Sequence, residues 1–173
     1  PIVSALMPTL SRLQDEPVEF EKAFLKLSKF VVWVTAIPIA LLSGFGEMVI
    51  VYLLGEAWRS SGQIFEWLAV AAIFQPVTNL TGTVFVSLGR TREMLRWSAF
   101  SSVCIVISFL IGVQYGVEGI AFCYAIAVNM ILPILPFYAF RETHIAVASY
   151  FKAIQFPVII SIAIVIAFRI LHI

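Results

Sequence analysis

Polar residues recur at helical spacing inside an otherwise apolar part of the chain. Gln75 and Gly82 each lie three or four residues from the adjacent pair Thr78 and Asn79, which places all four on one face of a helix. Lipid cannot satisfy hydrogen bonds, so a polar face on a membrane helix must contact protein or water. Two interpretations remain open: contacts with a neighbouring helix, and one wall of a hydrophilic cavity.

Two further polar residues fall inside apolar stretches. Glu66 lies about one turn inside the second stretch, where a carboxylate can carry a coupling ion or stay solvated near the membrane surface. Asn129 is a weaker candidate in the fourth stretch. We therefore predict a substrate cavity from four side chains: Glu66, Gln75, Asn79 and Asn129.

The densest group of cations is Arg90, Arg92 and Arg96. A guanidinium group can bind phosphate through two parallel hydrogen bonds, so these arginines are candidate phosphate contacts. The alternative is that they are ordinary cations touching anionic lipid headgroups.

Signatures of enzymes are missing from the sequence. Asp15 is the only aspartate, His144 and His172 are far apart, and no P-loop, GxSxG or GxGxxG pattern occurs. Cys104 and Cys123 are expected to be packing residues. We therefore expect no enzyme activity, no catalytic residue, no metal site, no cofactor and no nucleic-acid partner.

The composition indicates whether the chain folds in water or in a membrane. Hydrophobic residues make up 61% and charged residues 12%, whereas soluble domains contain about 25% charged residues. We predict an all-α polytopic transmembrane bundle formed by the whole chain, 1–173. Its predicted spans are 24–44, 62–88, 94–113, 117–140 and 150–171, with an interfacial segment at 47–55.

The start of the first span carries its own signals. Glu16 followed by Pro17 predicts the beginning of a helix. Phe20 and Phe24, interleaved with charged residues, predict an amphipathic lead-in along the membrane surface.

Cations collect in every second connection between the predicted spans. Nine of the eleven Lys and Arg residues fall near the loops at 10–26, 89–96 and 141–152. The excess of cations in cytoplasmic loops therefore predicts that these three loops are cytoplasmic. The chain opens without Met and ends after an apolar run, so we expect an internal or C-terminal piece of a longer protein.

The order of short motifs resembles a known family. In chain order they are Pro8-x-x-Ser11-Arg12 with Asp15 and Phe20, Pro38, Leu53-Leu54-Gly55-x-x-Trp58, Gln75-Pro76, Gly82 and Gly89-Arg90-Thr91. This order is similar to the second half of bacterial polysaccharide exporters of the Wzx type, in the multidrug/oligosaccharidyl-lipid/polysaccharide superfamily.

The resemblance implies half of a transporter with two helical bundles that works by alternating access. It implies a bacterial inner-membrane flippase for an undecaprenyl-pyrophosphate-linked oligosaccharide, driven by an ion gradient. Its partners would be that substrate, membrane lipid and the remaining N-terminal half of the transporter.

Other functions stay open. A cation-coupled multidrug exporter of the same superfamily would share the fold. A membrane enzyme of polysaccharide assembly would need a large outer loop, and the outer connections at 45–60 and 114–118 are short. A purely structural or assembly subunit is a third alternative.

Overall fold

The computed structural model describes residues 16–171, and every regular element in that range is a helix. The α-helices are α1 (Pro17–Gly44), α2 (Gly46–Leu54), α3 (Arg59–Ala72), α4 (Gln75–Ser87), α5 (Thr91–Gly112), α6 (Gly116–Ile131), α7 (Leu135–Ala139) and α8 (Val147–Leu171). Short 3₁₀ turns lie at Glu56–Trp58, Val113–Tyr115 and Leu132–Ile134. The all-α prediction is confirmed. Residues 10–15 of the first predicted loop, with Pro8, lie outside the described residues.

Three parts of the described chain are long and apolar enough to cross a membrane: Pro17–Gly44, Thr91–Ala139 and Val147–Phe168. The predicted spans at its two ends and in its middle overlap these parts. The protein is therefore an all-α helical membrane protein.

The stretch 62–88 is two helices rather than one. Helix α3 ends at Ala72 and α4 begins at Gln75, with Pro76 in its first turn. Proline has no N–H, so Pro76 cannot donate to the carbonyl of Ala72, and the helix is interrupted there. With 14 and 13 residues, both helices are shorter than the roughly 20 residues of a full span.

Helices α5 and α6 form an antiparallel pair around a tight turn. Gly116 has a φ of 77°, a conformation that glycine adopts without steric cost. Beside it, a Cβ placed on Gly112 would lie 2.6 Å from the Cα of Ile120. The two backbones touch at this crossing, as small residues allow in membrane helices.

The central core lies where the beginnings of α1 and α8 meet the end of α7. The ring of Tyr150 on α8 stacks on Phe24 of α1 at 5.9 Å and meets Phe140 edge-on at 5.1 Å. Phe24 and Tyr150 are completely buried, and Phe20 nearly so. The helix begins at Pro17, as predicted. The predicted surface lead-in is wrong, however, because Phe20 and Phe24 face the protein core.

The opposite end of the bundle carries the α2–α3 hairpin. Arg59 donates to Glu56 at 2.9 Å and forms an ion pair with Glu47. The predicted interfacial segment 47–55 corresponds to α2, on which Tyr52 is largely exposed. We call this end the acidic end, for Glu47, Glu66 and Glu118, and the other the basic end, for Arg90, Arg92, Arg96 and Arg141.

Glycine at the α5–α6 crossing gives a test of the fold. We expect Gly112→Ala to lower the free energy of unfolding by about 1–3 kcal/mol, because its methyl group must displace backbone atoms. In Gly82→Ala the new methyl meets no atom within 4 Å, so this control should be neutral or slightly stabilising. Thermal melts of the detergent-solubilised protein followed by circular dichroism measure both. Equal melting temperatures for the two variants would contradict the crossing.

Candidate functional site

A cavity of about 450 Å³ lies between α4, α5 and the end of α6. We call it the α4–α5 cavity. Thr78, Asn79 and Gly82 of the predicted polar face line it together with Thr83. Of the two interpretations of the polar face, helix contact or cavity wall, the positions of these residues match the cavity wall.

The hydroxyl groups in this wall are oriented by their own backbone. Thr83 donates to the carbonyl of Leu80 at 2.7 Å, and Thr78 donates to that of Gln75 at 2.8 Å. A hydroxyl that donates its single proton keeps lone pairs that can accept hydrogen bonds. The wall therefore presents fixed acceptors, while the Asn79 amide can both donate and accept.

Helix α5 supplies cavity residues that the sequence analysis missed: Trp97, Ser98 and Ser101. The Trp97 ring stacks on Tyr138 with centroids 6.0 Å apart, which limits its rotation. The available signal was the spacing of Ser98 and Ser101. Residues three apart share a helix face, as on α4.

Gln75 lies outside this cavity wall. Its side chain is exposed and its Nε2 donates to the hydroxyl of Tyr124 on α6 at 3.3 Å. This contact lies at the first residue of α4, directly after the interruption between α3 and α4. Gln75 therefore connects the interrupted helix to α6.

Asn129 forms a similar connection on the other side of the interruption. Its Nδ2 donates to the carbonyl of Ala125 at 2.8 Å and to that of Val70 at 3.5 Å. Val70 is in the last turn of α3, where the regular hydrogen bonding ends. In this structure Asn129 holds backbone carbonyls, and it is not among the residues that line the α4–α5 cavity.

Glu66 lines a different cavity at the acidic end, of about 370 Å³. Glu47 and Glu118 also line it, with Gln63. Glu47 is partly neutralised by its ion pair with Arg59. Within residues 16–171, no three His, Cys, Asp or Glu side chains are grouped so that they could hold a metal ion. The structure thus separates Glu66 from Asn79 rather than placing them in one site.

Arg90 is held in place by the protein. Its guanidinium donates to Glu93 at 2.9 Å and to the carbonyl of Ala139 at 3.0 Å, and it lies 5.5 Å from the centre of the Phe85 ring. The hydrogen bond to Glu93 raises the pKa of Arg90, although partial burial opposes the effect. Arg90 thus connects the end of α4 to the end of α7, and its side chain is only 12% exposed.

Arg92 and Arg96 differ from Arg90 in being exposed at the basic end. Both lie on the first two turns of α5, directly before the cavity residue Trp97. An exposed guanidinium can reorient toward an anion without breaking internal contacts. Of the three arginines predicted to contact phosphate, Arg92 and Arg96 can therefore turn toward a phosphate group.

The fold and the cavities define the class: an all-α helical membrane protein with a cavity among its helices whose mostly apolar wall carries several polar side chains. Against known proteins, the chain is similar to the amylovoran biosynthesis protein AmsL of Erwinia amylovora. The two are 24% identical over 108 residues, which is 62% of this chain and 28% of AmsL. No family model matches the chain, and no solved structure matches it.

The different surroundings of the arginines predict different effects on stability. Arg90→Ala should lower the free energy of unfolding by about 1–3 kcal/mol, because it removes a partly buried donor from a carboxylate and a carbonyl. Arg92→Ala, at an exposed position, should change it by less than about 0.5 kcal/mol. Melting temperatures in detergent compare them, and a larger loss for Arg92→Ala would refute the assignment.

The two asparagines provide a second contrast. Asn129→Ala removes a hydrogen bond between helices and should cost about 0.5–2 kcal/mol of stability. Asn79→Ala should leave the melting temperature nearly unchanged, because the structure shows Asn79 exposed on the cavity wall. Chemical denaturation in mixed micelles can measure both, and the reverse order would show that Asn79 is the structural residue.

Proposed function

We propose that this chain is part of a transporter that moves a lipid-linked polysaccharide precursor across the bacterial inner membrane. The substrate class is an undecaprenyl-pyrophosphate-linked oligosaccharide, and the chain supplies one of two helical bundles. The remaining N-terminal half of the transporter supplies the other. In this proposal the protein is a flippase and not an enzyme.

The observation that carries the proposal is the α4–α5 cavity. It brings polar groups of an interrupted helix into a bundle of apolar helices, and the exposed Arg92 and Arg96 belong to α5, the helix that contributes Trp97 to the wall. Broken membrane helices commonly form substrate sites, because their ends and polar side chains are shielded from lipid by protein. A sugar linked to a diphosphate needs polar groups that bind the sugar and cations that bind the diphosphate.

The similarity to AmsL supports the polysaccharide part of the proposal. The name of that protein states a role in amylovoran biosynthesis, and the match covers 62% of this chain. Because the match covers only 28% of AmsL, the activity of a whole transporter is part of the proposal.

The proposal includes the orientation predicted from the cations in the loops. With the basic end in the cytoplasm, Arg92 and Arg96 meet a diphosphate that arrives from the cytoplasmic leaflet. Glu66 then lies toward the periplasm, where a carboxylate in a polar cavity can bind a coupling proton or sodium ion.

A gene deletion tests the proposal. We expect loss of surface polysaccharide and accumulation of lipid-linked oligosaccharide, both restored by the wild-type gene. The double variant Arg92→Gln/Arg96→Gln should reduce export at least about tenfold, because hydrogen bonds between charged groups contribute about 1.5–3 kcal/mol each. Quantifying cell-surface polymer and lipid-linked intermediates by mass spectrometry gives the readout.

The matched control is Lys26→Gln/Lys29→Gln. It removes two exposed cations from the same end of the bundle, on α1, which contributes no residue to the α4–α5 cavity. This control should retain export. If both double variants lose export equally, the arginines act only through general charge at the membrane surface. Normal polysaccharide in the deletion strain would refute the flippase.

The cavity at the acidic end favours one alternative, a cation-coupled multidrug exporter. Glu47, Glu66 and Glu118 line it, and carboxylates attract cationic drugs. Under that function, the deletion strain would keep its polysaccharide and become sensitive to hydrophobic cations. Glu66→Gln would reproduce the sensitivity.

A further inference from the structure

The α4–α5 cavity has an uncharged wall that is mostly apolar and carries several polar side chains. The residues that line it, all within the described part of the chain, include no Asp, Glu, Lys, Arg or His. Its polar groups are five side chains: Thr78, Asn79, Thr83, Ser98 and Ser101. A wall of this kind recognises a ligand by hydrogen-bond pattern and shape rather than by charge.

We propose that the α4–α5 cavity is a subsite for one neutral pyranose unit, with Trp97 as the surface on which the sugar ring stacks. The assignment rests on the proposed function and names the part of the substrate that this cavity takes. It distinguishes an uncharged sugar from a uronic acid, a phosphate, a cationic drug and a lipid chain.

The hydroxyl geometry favours a ligand that donates hydrogen bonds. Thr78, Thr83 and Ser101 each give their proton to a backbone carbonyl of their own helix, at 2.8, 2.7 and 3.1 Å. Their oxygens remain as acceptors toward the cavity. A pyranose carries several hydroxyl groups around its ring, and each can donate to such an oxygen.

Trp97 provides the complementary apolar surface. Its ring lines the cavity and is fixed by stacking on Tyr138 and by a contact with Phe100 at 5.7 Å. One face of a pyranose carries mainly C–H groups, which pack on an indole ring. A ring that is already oriented loses little entropy on binding.

Other ligand classes fit the cavity less well. A uronic acid or a phosphate would bring an anion against hydroxyl acceptors without a cation in the wall, and a cationic drug would meet no carboxylate there. A lipid chain would offer no hydrogen-bond partner to the Asn79 amide. For such a chain, the neighbouring cavity at Phe151 and Ile159, of about 310 Å³, has the more apolar wall.

The size of the cavity suits one sugar ring. Arg92 and Arg96 lie on the side of α5 turned away from the wall residues Trp97 and Ser101, so the cavity takes the sugar through its own polar groups and through Trp97. The cavity volume of about 450 Å³ is within the usual range for small-ligand sites, roughly 300–1,000 Å³.

Cysteine protection tests the assignment directly. In the intact protein, Cys104, Cys123 and every other native cysteine are replaced by alanine. The substitution Ser101→Cys is then introduced, and the protein is placed in lipid nanodiscs. The rate at which a methanethiosulfonate reagent modifies this cysteine is measured with three probes. These are octyl β-glucoside and octyl β-glucuronide, which share an octyl chain and differ in charge, and the hydrophobic cation tetraphenylphosphonium.

We expect octyl β-glucoside to slow the modification and the two charged probes to have little effect. Trp97→Ala should weaken this protection about three- to tenfold, the usual contribution of an aromatic stacking contact. Trp97→Phe should retain most of it, which separates loss of stacking from loss of folding. Trp33→Ala, which removes a tryptophan on α1 outside the cavity wall, is the matched control and should protect like the parent.

Each contrary result has its own meaning. Equal or better protection by the glucuronide, or no protection by any probe, would overturn the neutral subsite. The flippase proposal would then still be decided by the polysaccharide assay. Selective protection by tetraphenylphosphonium would overturn the subsite, and with an unchanged polysaccharide phenotype it would overturn the proposed function as well.

Discussion

The contacts of Tyr150 connect four parts of the bundle. Its ring packs between Phe24 of α1 and Phe140 at the end of α7, and its hydroxyl lies 3.1 Å from that of Thr81 on α4. Helices gain little from burying apolar surface in lipid, so such specific packing and hydrogen bonds decide how they associate. Because α4 is short and separated from α3, its position depends on contacts of this kind. The part of the cavity wall that α4 supplies therefore depends on Tyr150.

The same requirement explains the contacts around the interrupted helix. Because Pro76 has no N–H, the carbonyl of Ala72 loses its regular donor where the helix is interrupted. Side chains connect the two sides of the interruption to α6: Asn129 donates to the carbonyl of Val70, which also accepts from the N–H of Ile73, and Gln75 donates to the hydroxyl of Tyr124. The polar residues of this region thus fall into two groups: Gln75 and Asn129 connect helices, and others, such as Asn79, line the cavity.

The three arginines at the basic end illustrate a similar division. Arg90 is occupied by Glu93 and by the carbonyl of Ala139, so it fixes α7 against the end of α4. Arg92 and Arg96, two and six positions later, are exposed. The excess of cations at one end is a property of the whole sequence, whereas the freedom of each cation depends on what folds against it.

By itself, the sequence determined that the chain folds in lipid and is helical, because these properties depend on composition and on apolar segments of sufficient length. It also determined where α1 starts, because a proline marks that position. It also placed Thr78, Asn79 and Gly82 on one face, since helical periodicity is local. The tertiary structure alone decided that this face meets Trp97, Ser98 and Ser101, that Asn129 bonds backbone, and that Phe24 is buried against Tyr150. Those pairings join residues far apart in the chain, and their geometry follows from helix packing, which no local pattern encodes.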